Sequence, residues 1–215
     1  LIDRAGVVGD DGETHHGLFD ISMIKNIPDF QFFAPSNGEE LRDIIYYAWK
    51  NSSGPTAIRY PRGSSGTVKV NVKENGGFIP RKIKILTKGS DAAILALGDM
   101  VKIALDTEVI LRKKGMAVTV VNILSIKPLD INGIEKVIKS CGKFITIENG
   151  FINGGAGEYI YTSIDSSLCY KRLFNAGFPE CFIKHGSVKE LFAEYGLDPE
   201  TLSDRILHGL SRKKK

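Results

Sequence analysis

Cysteine is scarce: Cys141, Cys169 and Cys181 are the only three in 215 residues. The count is odd, and no CxxC or Cys/His spacing of a zinc site accompanies it. None has an acid–base partner near it in sequence. The pattern speaks for reduced, partly buried thiols in the cytoplasm rather than for chemistry at sulfur. Long apolar runs are lacking too. No stretch of 18 apolar residues occurs, so no membrane-spanning helix is expected. No secretory leader is expected either, because Asp3 and Arg4 interrupt the opening residues. Net charge is small: the formal value is +4, and the closing run Arg212 to Lys215 accounts for it. The body is therefore near neutral. Without basic residues interleaved with aromatics, a nucleic-acid surface is not expected. The chain opens on Leu1-Ile2 rather than Met, which reads as a cut or processed polypeptide or an incomplete record of a longer one.

Hydrophobic residues make up 42% and charged residues 25%, the balance of a globular chain with a sizeable core. Residues 3–17 are polar and glycine-rich with little periodicity, and read as a long loop. Residues 30–34 form a short apolar run that suits a buried strand. Ser36, with Glu39 three residues on, reads as a capping box for a helix over 37–50. Leu41, Ile44, Ile45, Ala48 and Trp49 would make its apolar stripe. Gly54-Pro55 breaks the chain before a strand over 56–60, which Pro61 stops. Glycines and serines over 64–80 mark a linker with one short strand inside it.

Beyond residue 81 strand and helix patterns alternate. Strands are expected at 92–97, 117–123, 143–148 and 172–176. Helices are expected at 100–114, 131–140, 155–165, 187–195 and 199–211. Val101, Ala104, Leu105, Val109 and Leu111 form the expected inner face of the helix over 100–114, and Asp130 caps the helix over 131–140. This alternation implies an α/β fold with a mostly parallel sheet.

Three clusters could carry chemistry. Asp11-Gly12-Glu13-Thr14-His15-His16-Gly17 sets acids and imidazoles on one glycine-rich loop. It could relay protons, since a carboxylate can orient a histidine and stabilise its charged form. It could hold a metal through Asp11, His15 and His16, or be a solvated loop. Arg59-Tyr60-Pro61-Arg62-Gly63 places two guanidinium forks at a strand's C-terminal end, where open α/β sheets dock ligands. Such forks suit phosphate or carboxylate, but salt bridges at a domain edge would use the same residues. Glu148-Asn149-Gly150 with Gly154-Gly155-Ala156-Gly157 fits a tight strand-to-helix turn or interface loop better than a nucleotide cradle, matching neither GxGxxG nor GxxxxGK[ST]. Ser187, with Glu190, caps a helix behind His185, which reads as buried or interfacial.

In this order the clusters resemble one family. Asp3-Arg4-Ala5-Gly6 and Asp11-Gly12-Glu13-Thr14-His15-His16-Gly17-Leu18-Phe19-Asp20 are similar to the DRAG…DGxTHxGxFD signature of the 1-deoxy-D-xylulose-5-phosphate synthases, within the transketolase superfamily. Ala34-Pro35-Ser36 and the stretch Gly54 to Gly63 continue the likeness. So do Val121-Asn122, Lys127-Pro128-Leu129-Asp130, Glu148-Asn149, Gly177-Phe178-Pro179, Phe182-Ile183 and His185-Gly186.

The resemblance implies the later half of a thiamine-diphosphate pyrimidine-binding domain over 1–63, a linker over 64–80, and a transketolase C-terminal-type domain over 81–215. It implies a homodimeric enzyme that condenses pyruvate with glyceraldehyde 3-phosphate, using thiamine diphosphate and Mg²⁺. Both would be held mainly by an N-terminal part that includes the activating glutamate, so this chain alone would be inactive. Arg4 and Arg62 would bind the aldehyde's phosphate, Asp11 and His15 would face its carbonyl and hydroxyl, and Arg59 would be structural. His16 stands where the family often has glutamine, and Leu18 where it often has alanine. Two alternatives stay open: a non-catalytic dimerisation module, or a related 2-oxo-acid dehydrogenase β subunit.

Overall fold

A computed structural model describes residues 1–64 and 80–211. The linker expected over 64–80, its short strand and the basic closing residues therefore fall almost wholly outside the described part.

The larger sheet has five strands in the order β3-β5-β4-β7-β8. Four are parallel: β4 (Ala92–Ala96), β5 (Val118–Asn122), β7 (Lys143–Phe151) and β8 (Arg172–Phe178). β3 (Lys84–Ile85) adds antiparallel to the edge at β5. Helices α3 (Met100–Lys113), α4 (Ile131–Ser140) and α5 (Ala156–Ser163) lie between these strands in sequence, and α6 (Val188–Glu194) and α7 (Pro199–Ser211) follow them. β4 is buried along its whole length because both faces are covered. Ala92, Ile94 and Ala96 point into one apolar cluster with α3, α6 and α7; Ala93, Leu95 and Leu97 point into another with α4 and α5. The two-residue period of a strand produces this split.

The expected inner face of α3 holds at Val101, Ala104 and Leu111, but Val109 faces solvent. Thr107 and Glu108 are buried instead. Thr107 returns its hydroxyl to the carbonyl of Ile103 at 2.8 Å, and Glu108 pairs with Arg112, so both are satisfied where they sit.

The smaller sheet has the order β2-β1-β6. β1 (Gln31–Phe33) and β2 (Thr56–Ile58) run parallel, joined by α2 (Gly38–Asn51). β6 (Ser125–Lys127) comes from the second half of the chain and pairs antiparallel with β1. Two polar residues around a single apolar one gave no strand pattern here; β6 exists because β1 offers an open edge. The halves also share apolar contacts: Phe32, Ala34 and Ala57 lie in the α4–α5 cluster, and Val7 and Leu18 in the α3–α7 cluster.

α2 differs from expectation in two ways. Its N-cap is Asn37, whose side chain accepts from the Glu40 N–H at 2.9 Å, not Ser36. Glu40 is buried, so it reaches back to the Ser36 N–H and across to Lys84 and Asn122, which the exposed Glu39 could not do. The apolar stripe is also narrower. Ile44 is buried and Leu41, Tyr47 and Ala48 pack beside it, whereas Ile45 and Trp49 face outward, Trp49 being 75% exposed.

Candidate functional site

The opening residues run along the C-terminal extension of β2. Ile2 donates to the carbonyl of Ile58 at 2.9 Å, Tyr60 donates to that of Ile2 at 3.0 Å, and Ala5 donates to that of Tyr60 at 2.9 Å. This parallel pairing sets Arg4 beside Tyr60-Pro61-Arg62. Arg4 and Arg62, 58 positions apart in the sequence, line one cavity of about 630 Å³. Tyr60, Asp99 and Lys102 also line it, the last two brought from the start of α3.

The chain then turns through Gly9 and Gly12, both at positive φ, and returns to Gly17. Gly6 and Gly17 exchange two backbone hydrogen bonds of 2.8 and 2.7 Å. A Cβ on Gly17 would lie 2.2 Å from the carbonyl oxygen of Arg4, so only glycine permits this closure. The loop carries Asp11 back over the cavity's edge, where it forms an ion pair with Arg62. That hydrogen bond, with the nearby positive charges of His15 and Arg4, holds the Asp11 carboxyl below the ordinary carboxylate range.

His15 is exposed and lies against the Thr14 hydroxyl, Nδ1 to Oγ1 at 2.9 Å. Arg4, Asp11, His15 and Arg62 thus fall in one neighbourhood: the two arginines line the cavity, Asp11 pairs with Arg62, and His15 lies near enough to Asp11 to act on its charge. His16 faces the other way: it is buried, its Nδ1 accepts from the Val8 N–H at 3.0 Å, and Nε2 lies 3.4 Å from the Lys184 carbonyl. Its ring nitrogens are therefore occupied, which removes it from a ligand set with Asp11 and His15. Among the described residues no group of three His, Cys, Asp or Glu side chains is placed to hold a metal ion. The metal–diphosphate group that the resemblance implies does not fit the donors of this part of the chain.

Arg59 is 2% exposed and does not enter the cavity. Its Nε donates to Asp20 at 2.8 Å and its Nη2 to the Asn149 carbonyl at 2.9 Å. A buried guanidinium with a carboxylate and a carbonyl is a structural clamp between the two halves of the chain.

The third glycine-rich stretch also proves structural. Glu148 accepts from the N–H groups of Ala156 and Gly157 at 2.7 and 2.8 Å, occupying the N-terminus of α5 with a protein carboxylate. Burial pushes its pKa up to about 7, against those two hydrogen bonds and Arg59, which pull it down. His185 is exposed beside Gly12, and Ser187 caps α6 in a full capping box with Glu190.

Sequence reading missed Asp99 and Lys102, and it named Asn149 without giving it a role. Asp99 and Lys102 follow the apolar run of β4, at the strand end where open α/β sheets place ligands, and that position was the available signal. Asn149 stood out only through its place by the Gly-rich turn and in the Glu148-Asn149 motif of the resemblance. Asp99 is half-buried, and desolvation raises its pKa, although Asn149 donates to it at 2.8 Å.

The architecture is that of the thiamine-type α/β folds, and sequence profiles agree. The transketolase C-terminal domain matches residues 81–202, and the transketolase pyrimidine binding domain matches residues 1–67. The chain belongs to the transketolase family. Its curated relatives are described as 1-deoxy-D-xylulose-5-phosphate synthase. The protein of Dehalococcoides mccartyi is 40% identical over 96% of this chain, and that of Chlorobium phaeovibrioides 38% over 95%. That of Shouchella clausii is 36% identical over all of it. The chain spans about a third of the length of these relatives, 32–34%. Among solved structures, a split gene transketolase described as an inactive β4 tetramer superposes with a TM-score of 0.78 at 25% identity, covering 99% of this chain and 66% of that one. Campylobacter jejuni transketolase, with a TM-score of 0.73 at 23% identity over 96% of this chain and 30% of that one, shares the fold.

Proposed function

We propose that this chain is the C-terminal part of a 1-deoxy-D-xylulose-5-phosphate synthase, a thiamine-diphosphate-dependent transferase that joins pyruvate to glyceraldehyde 3-phosphate with loss of CO₂. The observation that carries this reading is the meeting of Arg4 and Arg62 in one cavity wall, with Asp11 and His15 beside them. Two guanidinium forks suit the phosphate dianion of a three-carbon aldehyde. The Asp11–Arg62 ion pair orients one fork towards the cavity. His15, an exposed imidazole next to a carboxylate held in its charged form, is placed to orient the acceptor and move a proton as the carbon–carbon bond forms. Thiamine diphosphate supplies the nucleophilic carbanion when bound; its diphosphate and Mg²⁺ belong to the N-terminal part of the enzyme. Residues 1–63 then complete the pyrimidine domain and 81–215 form the C-terminal domain of a cytoplasmic homodimer. The three cysteines, all free thiols, suit a reducing compartment.

In the complete enzyme, Arg62→Ala should raise KM for glyceraldehyde 3-phosphate and leave that for pyruvate alone. Losing a charge-assisted phosphate contact costs on the order of 2–4 kcal/mol in kcat/KM. An unchanged KM for the aldehyde phosphate removes Arg62 from the anion site.

A further inference from the structure

We propose that Asn149 is a positioning residue for Arg4, so that the sheet of the second half of the chain sets the geometry of the phosphate site; this rests on the phosphate reading of Arg4 above. Arg4 has φ of 60°, the left-handed region that side chains other than glycine disfavour. Such a conformation persists only where its surroundings hold it. The four backbone N–H groups after Arg4 are all engaged. Ala5 donates to Tyr60 O at 2.9 Å and Gly6 to Gly17 O at 2.8 Å, while Val7 donates to Asn149 Oδ1 and Val8 to His16 Nδ1, each at 3.0 Å. Three of these acceptors belong to the first 64 residues. The fourth, Asn149, comes from β7.

Asn149 is 1% exposed and fixed from every side. Its Nδ2 donates to Asp99 Oδ2 at 2.8 Å, and its carbonyl accepts from Arg59 at 2.9 Å. Its amide lies flat against Gly6: a Cβ there would sit 2.0 Å from Asn149 Cγ. Val7 N–H needs an acceptor and the Asp99 carboxylate a donor, so only one orientation of the amide satisfies both. Asp99 lines the same cavity as Arg4, which closes the chain of contacts from cavity wall to loop.

The test uses the complete enzyme. Asn149→Asp keeps size and the acceptor for Val7 but sets a carboxylate against Asp99. It should raise KM for glyceraldehyde 3-phosphate about tenfold while KM for pyruvate stays within about twofold. The exchange Asn149→Asp with Asp99→Asn reverses donor and acceptor and restores the bond. It should return KM to within about threefold of wild type. An unchanged KM in Asn149→Asp, an equal rise for both substrates, or an exchange no better than the single variant overturns the proposal. Should Asn149→Asp fail to fold, Asp99→Ala removes the amide's anchor and leaves the Val7 bond. A selective rise of about threefold is then expected, and its absence overturns the proposal. Arg4→Ala, run in parallel, separates the two claims. If it leaves the aldehyde phosphate's KM unchanged, the phosphate reading fails and takes the positioning role with it. A selective defect in Arg4→Ala with none in the Asn149 and Asp99 variants overturns the positioning role alone.

Discussion

Asp11 stands between two cations of different chemistry. Arg62 is always charged and pairs with it directly, whereas His15 offers an imidazole, a side chain able to take up and give back a proton. Because the carboxyl is held charged by Arg62, it can stabilise a protonated His15 without taking the proton itself. His15→Ala in the complete enzyme should therefore lower kcat by about 10²-fold or more; a wild-type turnover would show that the imidazole only shapes the loop. At this scale the sequence was informative where a residue type has few other uses. Two imidazoles and two acids within six positions, 11 to 16, and two arginines around Tyr-Pro, marked two segments that the Asp11–Arg62 ion pair joins. Residue type alone did not tell the two histidines apart; the resemblance pointed to His15, and packing holds His16 inside, with the Val8 N–H and the Lys184 carbonyl at its ring nitrogens. Residue chemistry alone did not separate Arg59 from Arg62; only the family resemblance set Arg59 apart as structural. They lie three positions apart, one inside the protein on Asp20 and one on the cavity wall.

Elements formed where local pattern and tertiary environment agreed. The apolar run of β4, the β-branched run of β5, and Asp130 as the cap of α4 all appear as their residues imply, the cap accepting from Gly133 N–H at 3.3 Å. α2 shows the opposite case: a helix with five apolar residues in its stripe buries only what the small sheet can cover, and Trp49 stays out. α5 is the element most tied to pH. Its first N–H groups are held by Glu148, whose carboxyl is raised from about 4.5 to about 7 by burial. A pKa raised on folding means that the folded state binds the proton more tightly, so this group stabilises most below about 4.5 and loses that contribution as pH rises to about 7. Glu148→Gln should remove this slope. The stability difference between wild type and variant, followed by denaturant unfolding from pH 4.5 to 7.5, should shift in the variant's favour as pH rises. A constant difference would mean that Glu148 stays charged throughout.

Across the whole molecule the two halves are interleaved rather than joined end to end. β6 pairs with β1, Arg59 grips Asn149, Glu40 binds Lys84 and Asn122, and apolar residues of the first half enter both clusters of the second. Contacts shared this widely couple the two halves, so each is stabilised by the other. We expect this chain, expressed alone, to fold and associate but to form no deoxyxylulose phosphate from pyruvate and the aldehyde phosphate. Adding the N-terminal part as a second polypeptide should restore turnover. Activity of the chain alone would contradict the division of labour proposed here.

By itself the sequence determined the α/β class, the order of its main strands and helices, and the segments that carry charge and imidazole, because periodicity and residue chemistry are local properties. Only the tertiary structure decided that β6 joins the other sheet, that His16 is turned inside, and that Asn149 reaches under the loop. Each of those depends on surfaces that exist only after distant segments have packed.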